Sequence, residues 1–288
     1  MTRMLTRSPY RCPGDDSVIH SACAGMLSHW SRPVDEHIAR TSLGETFVLS
    51  VGAPTAPPIV VLAGGDLPAA GLRVLAEQLD DSRRAILVDL PGLPGGSART
   101  RPAAEIHAAY GRWLMEVFDA LEIASAPVIG LGWSASVAAA AADVDRVEKL
   151  VLAAPLGLVP RARWHRALIP GLQWRNEPNL ENTQRYLQAL AGSGYQPDDP
   201  TLRWSCRVGA YCTSLTGLPR IGRSVLQRWR GRAVEIVVGE QDPLIQLSSL
   251  RKLADDMAVD LQVVPGAGHL LAVEAPARLA EGVFAPRS

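Results

Sequence analysis

The sequence predicts an α/β fold class: a mostly parallel central sheet flanked by helices, with one inserted helical cap. Three features carry that expectation. Short, continuously apolar runs such as Ile59–Ala63 and Ala85–Val88 have the composition of strands covered on both faces, which is how parallel strands read. These runs alternate with longer stretches of helical spacing, the pattern of successive strand–helix units. The alternation is interrupted once, between about Leu156 and Arg232, by a segment rich in Trp and Arg.

Composition bounds what the chain can be. Its 288 residues are 47% hydrophobic and 20% charged, enough to bury a large core as one domain with an insertion or as two small ones. Lys plus Arg and Asp plus Glu each total 29, so no global charge argues for nucleic acid or a membrane surface. Within the interrupting segment, however, twelve arginines face four acids, an excess of eight positive charges that the rest of the chain offsets. Cys12, Cys23, Cys206 and Cys212 show no metal-like spacing and read as reduced thiols, so no metal is expected. The N-terminus lacks the apolar core of a signal peptide and no stretch approaches a membrane span, so a cytoplasmic protein is expected.

Residues 1–30 mix Pro, Gly, Cys, Asp and Ser and are expected to form an irregular lead-in. The core is expected over 31–155 and 233–288. Alternation about Leu43-Gly44 predicts an antiparallel hairpin of Ile38–Thr41 with Glu45–Val51. A strand at Ile59–Ala63, a helix over Leu72–Leu79, a strand at Ala85–Val88 and a helix over Pro102–Leu121 follow. The strand Ala126–Ile129 leads into Gly130-Leu131-Gly132-Trp133-Ser134-Ala135-Ser136 and then an alanine-rich run. Further strands are expected at Val147–Ala153, Val234–Val238 and Leu261–Val264, with helices over Leu247–Met257 and Leu271–Val283. The insertion, 156–232, is expected to be a helical cap over the carboxyl ends of the strands, where open α/β sheets bind ligands.

Chemistry is sought at those strand ends. A strand, alternate glycines, a serine and a helix describe a sharp turn with Ser134 at its apex, a place where strain often marks function. Asp242 follows the strand at Val234–Val238, and His269 follows the last strand. Taken singly, Asp242 can be a helix cap and His269 a loop histidine. Taken together, in the order Ser134, Asp242, His269, they are a nucleophile, an orienting acid and a general base. His107 lies in a helical run and His165 in the insertion, so neither follows a core strand. Ser136 is read as structural, and the insertion's arginines mainly as a solvated surface.

With these motifs in place, the chain from about Glu36 onward resembles the α/β-hydrolases. Gly130-x-Gly132-x-Ser134, Asp89-Leu90-Pro91-Gly92 with Gly96-Ser97, Gly239-x-x-Asp242, and Gly268-His269 followed by Glu274-Ala275-Pro276 match that family's signatures in order. The resemblance implies serine hydrolysis of a carboxylic ester or thioester through an acyl-enzyme, with no cofactor. It also implies an oxyanion hole from the backbone N–H groups of Gly65 and Ala135. Two departures stand out: Ser136 where a glycine usually closes the elbow, and Ala63-Gly64 where a His-Gly pair is usual, followed by Gly65 and Asp66. Asp66, Trp133, Trp164 and Trp174 are candidate pocket residues. The expected partner is a small-molecule substrate, with an acidic carrier protein as a further candidate for the basic insertion. Related scaffolds carry out carboxylate elimination, cyclisation and C–C cleavage in natural-product pathways, so a tailoring enzyme is the second expectation. A non-catalytic binding protein is the third.

Overall fold

The computed structural model describes residues 5–65, 67–79, 82–162, 166–213 and 219–284. Its first half runs β1 (Leu5–Arg7), α1 (Asp15–Leu27), β2 (Asp35–Thr41), β3 (Gly44–Val51), β4 (Pro58–Leu62), α2 (Arg73–Gln78), β5 (Arg84–Val88), β6 (Arg101–Pro102), α3 (Ile106–Ala120), β7 (Ala126–Leu131) and α4 (Ser134–Ala139). Its second half runs β8 (Val147–Ala153), α5 (Leu168–Asn176), α6 (Leu180–Leu190), α7 (Asp199–Tyr211), α8 (Arg223–Gln227), β9 (Val234–Gly239), α9 (Leu247–Met257), β10 (Asp260–Val264), α10 (Leu271–Glu274) and α11 (Pro276–Phe284).

Eight strands form one sheet in the order β10-β9-β8-β7-β4-β5-β3-β2. The five pairings from β10 across to β5 are parallel, whereas β3 runs antiparallel to both β5 and β2. The expected hairpin is β2–β3, closed by Ser42-Leu43, with Thr41 paired to Gly44. The inner strands are apolar because both faces are covered: every residue of β7 and β9 is buried, and Val60, Val61, Val128, Ile129, Leu150 and Val151 are 0% exposed. The chain lays β5 on one side of β4 and β7 on the other, so connections leave β4 and β7 in opposite directions. Such a switch point opens a crevice at the carboxyl ends of the two strands.

Three expectations are corrected. The lead-in is not irregular throughout: Asp15–Leu27 is a helix whose Ile19, Ala22, Cys23 and Met26 are buried at helical spacing. That face packs on α7 and on the short 3-10 turn Ala69–Gly71, and Arg11 donates to the carbonyls of Gly209 and Cys212 at the end of α7. The helix expected from Pro102 begins at Ile106, because Arg101–Pro102 pairs with β1 and Glu105 turns the chain with φ 47°. The closing helix is two helices broken at Ala275-Pro276, where proline has no N–H to donate and disfavours helical backbone in the residue before it.

Between β8 and β9 the described residues form α5 to α8. Ala167, Leu187, Leu190 and Ala191 share an apolar cluster with Leu244, which follows β9, and Leu270, which follows β10. The inserted helices therefore rest on the loops after β9 and β10.

Candidate active site

The strand ends bring Asp242 and His269 together. Asp242 leaves β9 in a tight turn in which its Oδ1 accepts the backbone N–H groups of Leu244 and Ile245. Its Oδ2 lies 2.8 Å from His269 Nδ1, and both side chains are only 1% exposed. Burial by itself pushes the Asp242 carboxyl up, but the adjacent His269 ring and the two amides outweigh it and hold the group below its ordinary value. An ionised Asp242 draws the imidazole proton to Nδ1 and leaves Nε2 as the basic nitrogen.

The loop carrying His269 is fixed from both sides. Glu274 accepts the N–H groups of Gly268 and Leu270, the residues flanking the histidine, and also that of Gly192 from the insertion. His269 N–H donates to the carbonyl of Leu190 at the end of α6. Backbones meet so closely here that a Cβ on Gly192 would stand 1.8 Å from the carbonyl oxygen of Gly266. Only glycine fits such an approach.

Ser134 does not stand at the apex of the turn after β7. The left-handed residue there is Gly132, with φ 53°. Trp133 is already in right-handed helical conformation, and Ser134 is the first residue of α4. Ser134 is 0% exposed, and its hydroxyl donates to the carbonyl of Ala63 at the end of β4. The expectation of Ser134 at the apex is corrected accordingly: two residues past the apex, its side chain turns back toward β4. Ala135 lies inside α4 with its N–H directed to the carbonyl of Gly132 at 3.4 Å. The residue that follows the apex is Trp133.

Beside His269 is a cavity of about 30 Å³. Gly64, Leu131, Gly132, Ala153 and Ala154 line it from the ends of β4, β7 and β8, Leu67 and Leu72 from the segment before α2, and Leu270–Ala272 from the start of α10. Ala154 adopts φ 46°, an uncommon conformation for a residue with a side chain and one that concentrates at functional edges. Gly65 is next to the lining residue Gly64. Trp133 turns from the cavity and meets Tyr110 edge-on, with ring centroids 5.7 Å apart. Trp174 stacks on Tyr186 and donates to the carbonyl of Ser205, so it belongs to the packing of the inserted helices. Asp66, Trp164 and His165 lie outside the described residues.

The apex was expected at Ser134, although a signal for Gly132 was present. Gly130-Leu131-Gly132-Trp133-Ser134 has small residues at its first, third and fifth positions, as does Gly132-Trp133-Ser134-Ala135-Ser136. The serine drew the second register, but β7 ends at Leu131 and the chain turns at once.

A parallel sheet with an acid–base pair at its carboxyl edge and a glycine-rich strand-to-helix turn beside it defines the α/β-hydrolase class. Residues 26–282 match the model of the alpha/beta hydrolase family, and the chain belongs to that family. It is 23% identical over 265 residues to the carboxylesterase YbfK of Bacillus subtilis (strain 168), covering 87% of this chain and 86% of that protein. The crystal structure of carboxylesterase CesB (YbfK) superposes with a TM-score of 0.77 at 20% identity, over 94% of this chain and 97% of that one. Naproxen esterase from Bacillus subtilis superposes with a TM-score of 0.81 at 19% identity, over 95% and 98%. No helix among the described residues is long and apolar enough to cross a membrane, and none of their side chains form a group of three or more potential metal ligands.

Proposed function

We propose that this chain hydrolyses a small carboxylic ester, with His269 as the general base and Asp242 as the group that orients it. The carrying observation is the buried 2.8 Å contact between His269 Nδ1 and Asp242 beside a cavity at the sheet's switch point. A buried carboxylate on Nδ1 sets the tautomer, steadies the ring and stabilises the imidazolium that forms when Nε2 takes a proton. The carboxylesterase relatives support the ester class. The inserted helices, which rest on both catalytic loops, act as the cap that closes over the substrate.

Turnover of a short p-nitrophenyl ester tests the reading. His269→Ala and Asp242→Asn should each lower kcat by about 10²–10⁴-fold, the usual contribution of a positioned acid–base pair. Unchanged turnover in His269→Ala would remove His269 from the chemistry. Carboxylate elimination is the second reading, favoured by the glycine at the turn's apex, because that reaction needs a base and no nucleophile. Release of an alkene in place of an alcohol would identify it.

A further inference from the structure

We infer that Gly132 occupies the position of the catalytic nucleophile, so that His269 drives water directly against the substrate with no acyl-enzyme. The inference rests on the reading of His269 as general base. Three observations, each independent of the others, carry it.

The first is backbone conformation. A strand-to-helix elbow presents its nucleophile on a strained residue at the point where the strand stops and the helix has not begun. Between the end of β7 at Leu131 and the start of α4 at Ser134, the residue with positive φ is Gly132. The second is close approach. A Cβ on Gly130 would stand 2.6 Å from Ala135 Cα and 2.8 Å from the Ser134 carbonyl oxygen. Strand and helix therefore pass each other at Gly130, which makes it the opening small residue of the elbow, two positions before the apex. Ser134, two positions after the apex, is the closing one, packed with its hydroxyl on the Ala63 carbonyl. The third is the cavity. Gly132 and His269 line the same space, and Ser134 does not line it.

Glycine offers no atom for a covalent intermediate, but it leaves room. The space beside Gly132 and His269 is about 30 Å³, more than the roughly 10–15 Å³ that one water needs. The step balances without another reactant. His269 Nε2 takes one proton from water as the water oxygen bonds to the acyl carbon, and the carbonyl electron pair moves onto its oxygen. The tetrahedral species collapses, the C–O bond to the alcohol breaks, and the departing alkoxide takes the proton from the imidazolium. The products are the acid and the alcohol. Moving the apex from Ser134 to Gly132 also moves the donor that follows it, so the oxyanion is received by the Trp133 backbone N–H, with Gly65 from the opposite loop.

A fluorophosphonate probe, read by intact mass and peptide mapping, tests the inference on wild type, Ser134→Ala, Gly132→Ser and His269→Ala, with ester turnover measured in parallel. Wild type and Ser134→Ala should take no probe, and Gly132→Ser should take one probe per chain at the substituted position. A phosphonylated Ser134 in wild type overturns the inference, as does a folded Gly132→Ser that stays unlabelled. If Gly132→Ser does not fold, the wild-type labelling and the turnover of Ser134→Ala decide. His269→Ala separates this inference from the reading beneath it. Lost turnover with a labelled Ser134 leaves the base in place and refutes the vacated apex, whereas retained turnover refutes the base itself.

Discussion

Two buried aspartates at the carboxyl edge of the sheet carry opposite electrostatic burdens. Asp242 faces an imidazole, whereas the Asp89 carboxylate, just after β5, accepts the N–H groups of Ala69 and Gly96 at 2.6 and 2.7 Å. Burial pushes Asp89 up to about 6, against the pull of those two amides. Its folded value exceeds the unfolded one, so its contribution to stability is fully present below the ordinary carboxylate value and is lost as pH rises through about 6. Asp242 has the reverse sign. Its contribution is present above the ordinary value and is lost only as pH falls through the depressed folded one. Denaturation midpoints of wild type and Asp89→Asn, followed between pH 5 and 7.5, should therefore converge toward higher pH, as the wild-type advantage shrinks. Parallel curves would assign the titration elsewhere. Asp89→Ala leaves two buried amides without their acceptor and should cost on the order of 2–4 kcal/mol in chemical denaturation.

The turn between β7 and α4 holds because its residues are small where two backbones cross. Gly130→Ala places a methyl against Ala135 Cα, and no flexible side chain is there to yield. It should cost about 1–3 kcal/mol, as overpacking does, with activity falling alongside stability. A fully stable Gly130→Ala protein would contradict the crossing. At α1, Ile19 is 0% exposed, and Ile19→Ala should cost about 2–4 kcal/mol, a loss that an irregular lead-in would not show. These two elements also mark where the sequence was legible and where it was not. The strands around Val60, Ile86, Ile129 and Val151 were readable because burial on both faces makes their central residues apolar. The helix α1 was obscured because its apolar face alternates with Ser, His and Asp and is completed by α7, nearly two hundred residues later. The apex was expected at Ser134 and stands at Gly132, because small residues recur at every second position from Gly130 to Ser136. Local spacing is the same in both registers, and only the strand's end chooses between them.

Across the whole molecule, the loops after β9 and β10 belong to one edge because parallel strands all present their carboxyl ends together. That made Asp242 and His269 findable from their places after β9 and β10, whereas the cavity beside His269 depends on contacts no local pattern records. The basic insertion is likewise resolved by tertiary structure: Arg166 donates to the carbonyls of Ala189 and Ala191, Arg232 pairs with Asp145, and Arg228 donates to the carbonyl of Ala141. These arginines tie the insertion together and anchor it to the core. The most direct measurement is the kcat/KM of Ser134→Ala for a short p-nitrophenyl ester relative to wild type. A base working on water from beside Gly132 predicts a ratio within about threefold of unity, and a fall of about 10³-fold or more in a folded variant would return the nucleophile to Ser134.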